Sequence, residues 1–167
     1  MIAEVIVVLR ILLLLCAFLF ISCGKDYEVR GYQAARKVGL HKVIPDTRSK
    51  GIDEALLPYV RDFEAFYGNS IGDITVNFGS PTAGKAASCH RGFDVRRQII
   101  VSKKRWLDFD DSDIGRGAKE FLMFHELGHC VLNKGHSSSG LMIPTADNEV
   151  IAVFLENRDE YIADLFR

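Results

Sequence analysis

One stretch of this chain, Phe124 to Pro144, restricts its possible folds more than any other. His125 and His129 stand four positions apart, so on a helix their imidazoles project from the same face, one turn apart. Two imidazoles at that spacing can hold one zinc ion. Glu126 follows the first histidine and can accept a proton from a water molecule at the metal. The stretch therefore predicts a helical zinc site with a general base.

The residues around this motif predict a buried helix. Asp113 is the predicted N-cap, and Asn133 or Gly135 the predicted end. Apolar residues recur at helical spacing on the stripe that carries the two histidines: Ala118, Phe121, Leu122 and Leu132. A helix with so much apolar surface is buried, so the histidines are expected inside a core wall.

A third histidine and a methionine follow the helix. His136 comes next, and Met142 follows a serine-rich turn. Together these residues resemble the metzincin zinc endopeptidases, whose pattern is His-Glu-x-x-His-x-x-Gly-x-x-His followed by a turn that carries a methionine. The resemblance implies His125, His129 and His136 as Zn²⁺ ligands, Glu126 as the catalytic base and Met142 as a structural residue under the metal.

The spacing of the third histidine departs from that pattern by one residue. His136 lies seven positions after His129 instead of six, and Leu132 occupies the glycine position of the family. The helix must therefore end through residues 133–135, by a route one residue longer. The run with a His-Glu-Leu-Gly-His-Cys core also resembles small bacterial lipoproteins classed as candidate zinc peptidases.

The C-terminal stretch contains a competing third ligand. Glu156 to Arg167 is predicted to form a helix that packs under the metal site. Within it, Glu160-Tyr-Ile-Ala-Asp164 resembles the Glu-x-x-Ala-Asp segment of gluzincin peptidases, in which the glutamate binds the metal and the aspartate supports a histidine. A ligand set of His125, His129 and His136 requires fewer chance matches to a known pattern than one with Glu160. Glu160 is therefore the alternative third ligand.

The N-terminal stretch is typical of an export signal. Arg10 precedes an unbroken apolar run from Ile11 to Ile21, and Ser22-Cys23 closes it. The segment resembles the signal of a bacterial lipoprotein, with residues 1–22 removed and Cys23 lipidated. An uncleaved membrane anchor is the alternative. Both place the protein in the cell envelope, tethered to a membrane, with residues 23–50 as a tether and N-terminal segment.

Residues 51–167 are predicted to form one α+β domain. Apolar residues from Leu56 to Tyr67 recur at helical spacing and predict a helix that Asp53 caps and Gly68-Asn69 ends, with Pro58 in its first turn. The predicted strands are Ile74–Phe78, Lys85–His90 and Gln98–Ser102. This order is similar to a shortened metzincin domain, a short sheet packed on the buried zinc helix plus a C-terminal helix. By that resemblance, Lys85–His90 rims the cleft and binds an extended substrate by strand addition.

Two cysteines remain in the mature domain. Cys89 and Cys130 are expected to pair, because the count is even and the compartment oxidising. Two buried free thiols are the alternative. A thiolate ligand at Cys130 is disfavoured, because on the helix it points away from His125 and His129.

The charge balance gives no indication of a nucleic-acid partner. The chain has 21 basic and 22 acidic residues, so no single-sign field dominates. A cluster of basic residues forms a solvated face, or alternatively favours acidic peptides or anionic membrane: Arg91, Arg96, Arg97, Lys103, Lys104 and Arg105. His41 and His90 are interpreted as ordinary loop and strand histidines.

These patterns predict a membrane-tethered, zinc-dependent endopeptidase acting on a peptide or protein substrate. In this hypothesis three histidines leave an open position on the metal, and Glu126 moves protons between water and the leaving amine. A zinc-stabilised binding or adhesion lipoprotein without turnover is the alternative from another class, and a gluzincin-type peptidase using Glu160 is a second. A buried helix whose histidines bind nothing is the simplest competing interpretation.

Overall fold

The computed structural model describes residues 51–92 and 96–167, which all fall in one compact unit. They form a mixed α+β arrangement of five helices, three strands and one short 3-10 turn. In chain order the elements are α1 (Leu57–Tyr67), β1 (Thr75–Gly79), β2 (Ala87–His90), β3 (Gln98–Ser102), α2 (Lys103–Asp108), α3 (Asp113–Cys130), the 3-10 turn (Gly140–Met142), α4 (Asn148–Glu156) and α5 (Arg158–Leu165).

The sheet has the strand order β1-β3-β2. Strand β1 runs parallel to β3, with Val76 opposite Ile99, and β2 runs antiparallel to β3, with Cys89 opposite the same Ile99. The inward-facing Val76, Ile99 and Val101 are fully buried. Strand β2 therefore forms an edge of the sheet, beside the helix that carries the histidines.

Helix α3 is the central element of the core. Twelve of its eighteen residues are buried, as the apolar pattern predicted. Its N-cap is Ser112, whose hydroxyl accepts a hydrogen bond from the Gly115 amide at 3.1 Å, so the predicted cap at Asp113 was wrong by one residue. The Asp113 side chain instead supplies negative charge in the first turn, where the helix dipole favours it.

Aromatic side chains join α3 to the helices on either side. Phe124 meets Phe63 of α1 edge to face, with ring centroids 5.5 Å apart, and Phe121 meets Phe154 of α4 in the same way at 5.4 Å. Such edge-to-face pairs stabilise the fold by about 1 kcal/mol each beyond the burial of their apolar area. They fix the rotation of α3, and hence the direction in which its histidines point.

The C-terminal region contains the helix predicted within Glu156–Arg167, which is α5, and before it a second helix, α4, that was not predicted. Helix α4 begins at the N-cap Asp147, whose carboxylate accepts a hydrogen bond from the Val150 amide. The chain bends at Asn157, which has φ −120° and ψ 26°, and α5 follows directly. The bend lets both short helices pack their apolar sides inward, which one straight helix of this length could not do.

A buried ion pair fastens α5 to α3. The Arg158 guanidinium donates to the Glu120 carboxylate from Nε at 3.0 Å and from Nη2 at 2.5 Å. Both side chains are almost fully shielded from water, with exposed fractions of 12% and 5%. Paired in this bidentate way, neither charge is left uncompensated in the core.

The predicted export signal, lipidation site Cys23 and tether lie outside the described residues, as does His41. Within the described ranges, no helix has the length and apolarity needed to cross a bilayer.

Candidate metal centre

Three histidines converge at the C-terminal end of α3. His125 and His129 lie on the helix, and His136 lies in the loop after it. Their potential ligand atoms are all within 4.8 Å of one another. The ring centroid of His136 is 5.3 Å from that of His125 and 4.8 Å from that of His129. The three histidines are therefore close enough to bind one metal ion.

Main-chain carbonyls fix the tautomers of the two helical histidines. Nδ1 of His125 lies 2.7 Å from the Leu141 carbonyl oxygen, and Nδ1 of His129 lies 2.8 Å from that of Lys134. A carbonyl only accepts, so each Nδ1 carries the proton and donates it. The Nε2 atoms then present lone pairs, which is the arrangement of metal-binding histidines held by an outer hydrogen bond.

Those two Nε2 atoms are 3.0 Å apart. Two lone pairs facing each other at that distance repel unless a proton or a cation lies between them. Burial lowers the pKa of His125 to about 4 and also lowers the pKa of His129, so a shared proton is disfavoured near neutral pH. The donor set therefore fits a metal cation, and imidazole nitrogens suit zinc and other transition metals.

The 3-10 turn supports the centre from below. Its Leu141 supplies the carbonyl that holds His125, and its Met142 is 6% exposed. Met142 packs so closely under the helix that a Cβ added at Gly128 would lie 2.7 Å from its sulfur. Glycine at this position thus allows the turn to approach the backbone of α3.

Glu126 is buried beside the histidines, with 6% of its surface exposed. Burial raises the pKa of its carboxyl to about 7, against the opposing effects of the positive Lys85 and a hydrogen bond from the Cys89 amide. A carboxyl with a pKa near neutrality is suited to taking up and returning a proton. The three histidines that could hold a metal ion are therefore accompanied, next to His125 in the chain, by a buried carboxyl suited to proton transfer.

A disulfide joins Cys89 of β2 to Cys130 of α3, the pair expected from the sequence. Their Cα atoms are 5.6 Å apart. Cys130 directly follows His129, and its carbonyl accepts a hydrogen bond from Arg97 Nη1 at 3.0 Å. The bridge holds the edge strand β2, and the hydrogen bond holds the start of the central strand β3, against the end of the helix where the histidines lie.

The other sequence candidates lie outside this cluster. Glu160 is exposed on α5, and in the described part of the chain the only group of three or more potential ligands is the histidine triad. His90 is hydrogen bonded to the hydroxyl of Ser88 at 2.9 Å, in keeping with an ordinary strand histidine.

Sequence reasoning missed the carbonyl groups of Leu141 and Lys134, because main-chain acceptors leave no signal in residue type. It also missed the electrostatic role of Lys85, which a strand pattern does not reveal. Comparison of the chain with protein-family models, curated proteins and solved structures finds no match. The interpretation of the site therefore rests on its own geometry.

Proposed function

We propose that this protein is a zinc-dependent endopeptidase with a metzincin-like arrangement of ligands. The observation that carries the proposal is the facing pair of Nε2 atoms, 3.0 Å apart, on two histidines whose Nδ1 protons are already donated to carbonyls. His136 completes a set of three. Three protein ligands leave a position for water or substrate, whereas a structural zinc site has four protein ligands in almost every case.

Glu126 is the residue that distinguishes an enzyme from a binding protein here. A zinc ion held by the three histidines would polarise the scissile carbonyl and acidify a water molecule. Glu126 then takes the proton from that water at its carboxylate and returns it to the leaving amine. A purely structural site gains nothing from a buried carboxyl with a raised pKa, so Glu126 favours hydrolysis over the alternative of a non-catalytic binding lipoprotein.

Residues 85–90, predicted to rim a substrate cleft, are largely covered along β2, where Ala87 is 2% and Ser88 5% exposed. The Ser102 amide donates to the Ala86 carbonyl at 2.8 Å, which makes this a hydrogen-bonded pair of the antiparallel ladder. Bonding alternates along such a ladder, so the backbone groups of Ala87 and Cys89 point away from β3. The Cys89 amide indeed reaches Glu126. The backbone of β2 that points away from β3 is therefore largely occupied, and it offers little free edge for the strand addition that the resemblance implies.

Metal analysis of the full chain, kept in detergent because of its apolar N-terminal run, tests the ligand set. We expect about one zinc per chain, as a single three-histidine site implies. The His136→Ala variant should lose the metal and Glu160→Ala should keep it. Loss with Glu160 instead would favour a gluzincin-type site, and no zinc after reconstitution would exclude the enzyme.

Peptide cleavage by the same preparations tests turnover. Glu126→Gln should retain zinc and lose hydrolysis, because the general base is gone while the ligands remain. Zinc binding without cleavage of any peptide in a diverse library would instead favour the binding lipoprotein. The envelope location is a separate proposal that rests on residues 1–23 alone.

A further inference from the structure

The third histidine of the cluster, His136, is placed by its backbone and not by contacts to its ring. His125 and His129 each donate Nδ1–H to a main-chain carbonyl, whereas within residues 51–92 and 96–167 no hydrogen bond reaches the ring of His136. His136 is also exposed, as are all of residues 135–139. The position of this ring therefore depends on how the chain on either side of it is held.

The backbone is anchored on both sides of His136. Before it, Lys134 donates its amide to the Gly128 carbonyl at 3.1 Å, and after it, Ser137 donates its amide to the Met142 carbonyl at 2.9 Å. Only two residues lie between these anchors, and one of them is His136 itself. The first anchor exists because the chain reverses direction directly after α3, so that turn decides where His136 lies.

Arg91 holds this turn from the sheet. The reversal occurs at Asn133, whose φ of 57° is left-handed, and the side-chain Oδ1 of Asn133 accepts a hydrogen bond from Nη1 of Arg91. Arg91 directly follows strand β2. A left-handed conformation is sparsely populated by residues other than glycine, so it persists where neighbouring groups restrain it. The bond from Arg91 is such a restraint on Asn133.

The support behind Arg91 is rigid, because the connection between β2 and β3 is fixed to the end of α3. The disulfide joins Cys89, two residues before Arg91, to Cys130, the last residue of the helix. At the other end of the connection, Arg97 donates from Nη1 to the Cys130 carbonyl at 3.0 Å, and its own carbonyl accepts from the Thr75 amide at 3.2 Å. Arg91 therefore extends to the turn from a part of the sheet that is braced against the helix.

We propose that Arg91 is a positioning residue for the third metal ligand: by holding the side chain of Asn133, it fixes the turn that brings His136 to the other two histidines. The inference rests on the metal-binding part of the proposed function and does not depend on turnover. A ligand that is already in place costs an incoming metal ion less conformational entropy. Arg91 therefore raises the affinity of the site for zinc without binding the ion.

The positive charge of Arg91 gives this role a distinctive sign. Two cations repel, so the charge of a nearby guanidinium by itself weakens the binding of a divalent metal ion. If charge were the whole effect, removing Arg91 would tighten zinc binding. If Arg91 positions His136, removing it weakens zinc binding instead.

The zinc affinity of the full chain in detergent, measured by competition with a chromophoric chelator, tests the proposal. Arg91→Met removes the donors and the charge, and we expect it to raise the Kd for zinc about 3-fold to 10-fold, the range for the net effect of one hydrogen bond. The matched control is Arg96→Met. Arg96 is an exposed arginine of the same connection, but its Nε donates to the Asp73 carbonyl, at 2.8 Å. This control should change the Kd by less than about 2-fold, as expected for an exposed charge.

A double-mutant cycle separates positioning through Asn133 from any other effect of Arg91. Asn133→Gly removes Oδ1 and keeps a residue that adopts positive φ readily. It should weaken zinc binding by itself, because Arg91 then has no acceptor in the turn. Adding Arg91→Met to Asn133→Gly should cause no further weakening, since the two side chains act through one bond.

Each result supports or overturns the proposal. Unchanged or tighter zinc binding by Arg91→Met, equal weakening by Arg96→Met, or further weakening when Arg91→Met is added to Asn133→Gly would overturn it. If the parent binds no zinc, the proposed function fails and this inference fails with it. If the parent binds zinc but cleaves no peptide, the peptidase function fails while the positioning role of Arg91 stands on the affinities.

Discussion

Replacing Glu126 with glutamine should stabilise the metal-free protein at alkaline pH. Glutamine has nearly the same shape and keeps an oxygen that can accept the Cys89 amide, so the change removes one ionisable group and little else. Burial raises the pKa of Glu126 to about 7 from an ordinary value of 4.5. Without metal, folding therefore favours the protonated carboxyl, and ionisation at high pH acts against the folded state.

The size of the effect follows from proton linkage. Between pH 4.5 and about 7 the unfolded chain has released the Glu126 proton while the folded chain still holds it. The free energy of unfolding then falls as pH rises, by about 1.4 kcal/mol per pH unit, or about 3 kcal/mol over the whole window. Only 6% of Glu126 is exposed, so solvent screens little of this electrostatic penalty. The glutamine variant has no such loss.

Urea unfolding of both proteins in chelator, followed by the fluorescence of the single, buried Trp106, measures the difference. We expect the variant to be more stable by about 3 kcal/mol at pH 8 and equal to the parent at pH 4.5 and below. His125, with its pKa lowered to about 4, makes stability fall toward acid in both proteins, so its contribution cancels in the comparison.

A parent-to-variant difference that does not change between pH 4.5 and 8 would refute this reasoning, because it would mean that Glu126 titrates alike in both states. Saturating zinc provides an internal check. A nearby divalent cation favours the ionised carboxylate, so the advantage of the variant at pH 8 should shrink when the metal is added.

Two further predictions concern the support of the site. Gly128→Ala should lower the free energy of unfolding in urea by about 1–3 kcal/mol, because the added Cβ meets the Met142 sulfur. Gly135→Ala is the control and should be near neutral, because the space around its Cβ position is open. Equal losses of stability in the two variants would contradict the close approach of Met142 to Gly128. Arg158→Met should cost about 3–5 kcal/mol by leaving the Glu120 carboxylate buried and unpaired. Adding Glu120→Gln to this variant should restore most of the lost stability. If stability is not restored, the loss comes from the packing of the Arg158 side chain instead.

The sequence predicted the parts of the site that depend on local spacing. His125 and His129 share a face because of helical periodicity, and the buried surroundings of α3 follow from the same pattern. Helix α4 was not predicted, although Asp147 followed by the apolar Val150, Ile151 and Phe154 is a recognisable helix start. That signal was available and was overlooked.

Other features join residues that are distant in the chain, and no local pattern could give them. The parallel pairing of β1 with β3, and the insertion of β3 between β1 and β2, depend on which strand surfaces bury the most apolar area together. The pairing of Glu120 with Arg158 spans 38 positions. Glutamate and arginine are rarely buried without a partner, and nothing in the sequence around either residue identifies the other.

The extra residue between His129 and His136 is taken up by the turn that ends α3. The helix stops at Cys130, and Asn133 adopts φ 57°, a left-handed conformation that asparagine tolerates better than most residues. The next residue, Lys134, donates its amide to the Gly128 carbonyl at 3.1 Å and offers its own carbonyl to His129 at 2.8 Å.

One short segment therefore ends the helix, sets the tautomer of His129 and directs His136 back toward the cluster. The metzincin pattern that the sequence resembles has a glycine one position before Asn133. Here Asn133 makes the reversal, and the ring of His136 still lies 4.8 Å from that of His129. The separation of two ligands in the sequence is thus a weak criterion for a metal site, because what matters is whether a residue able to adopt positive φ lies where the chain must turn.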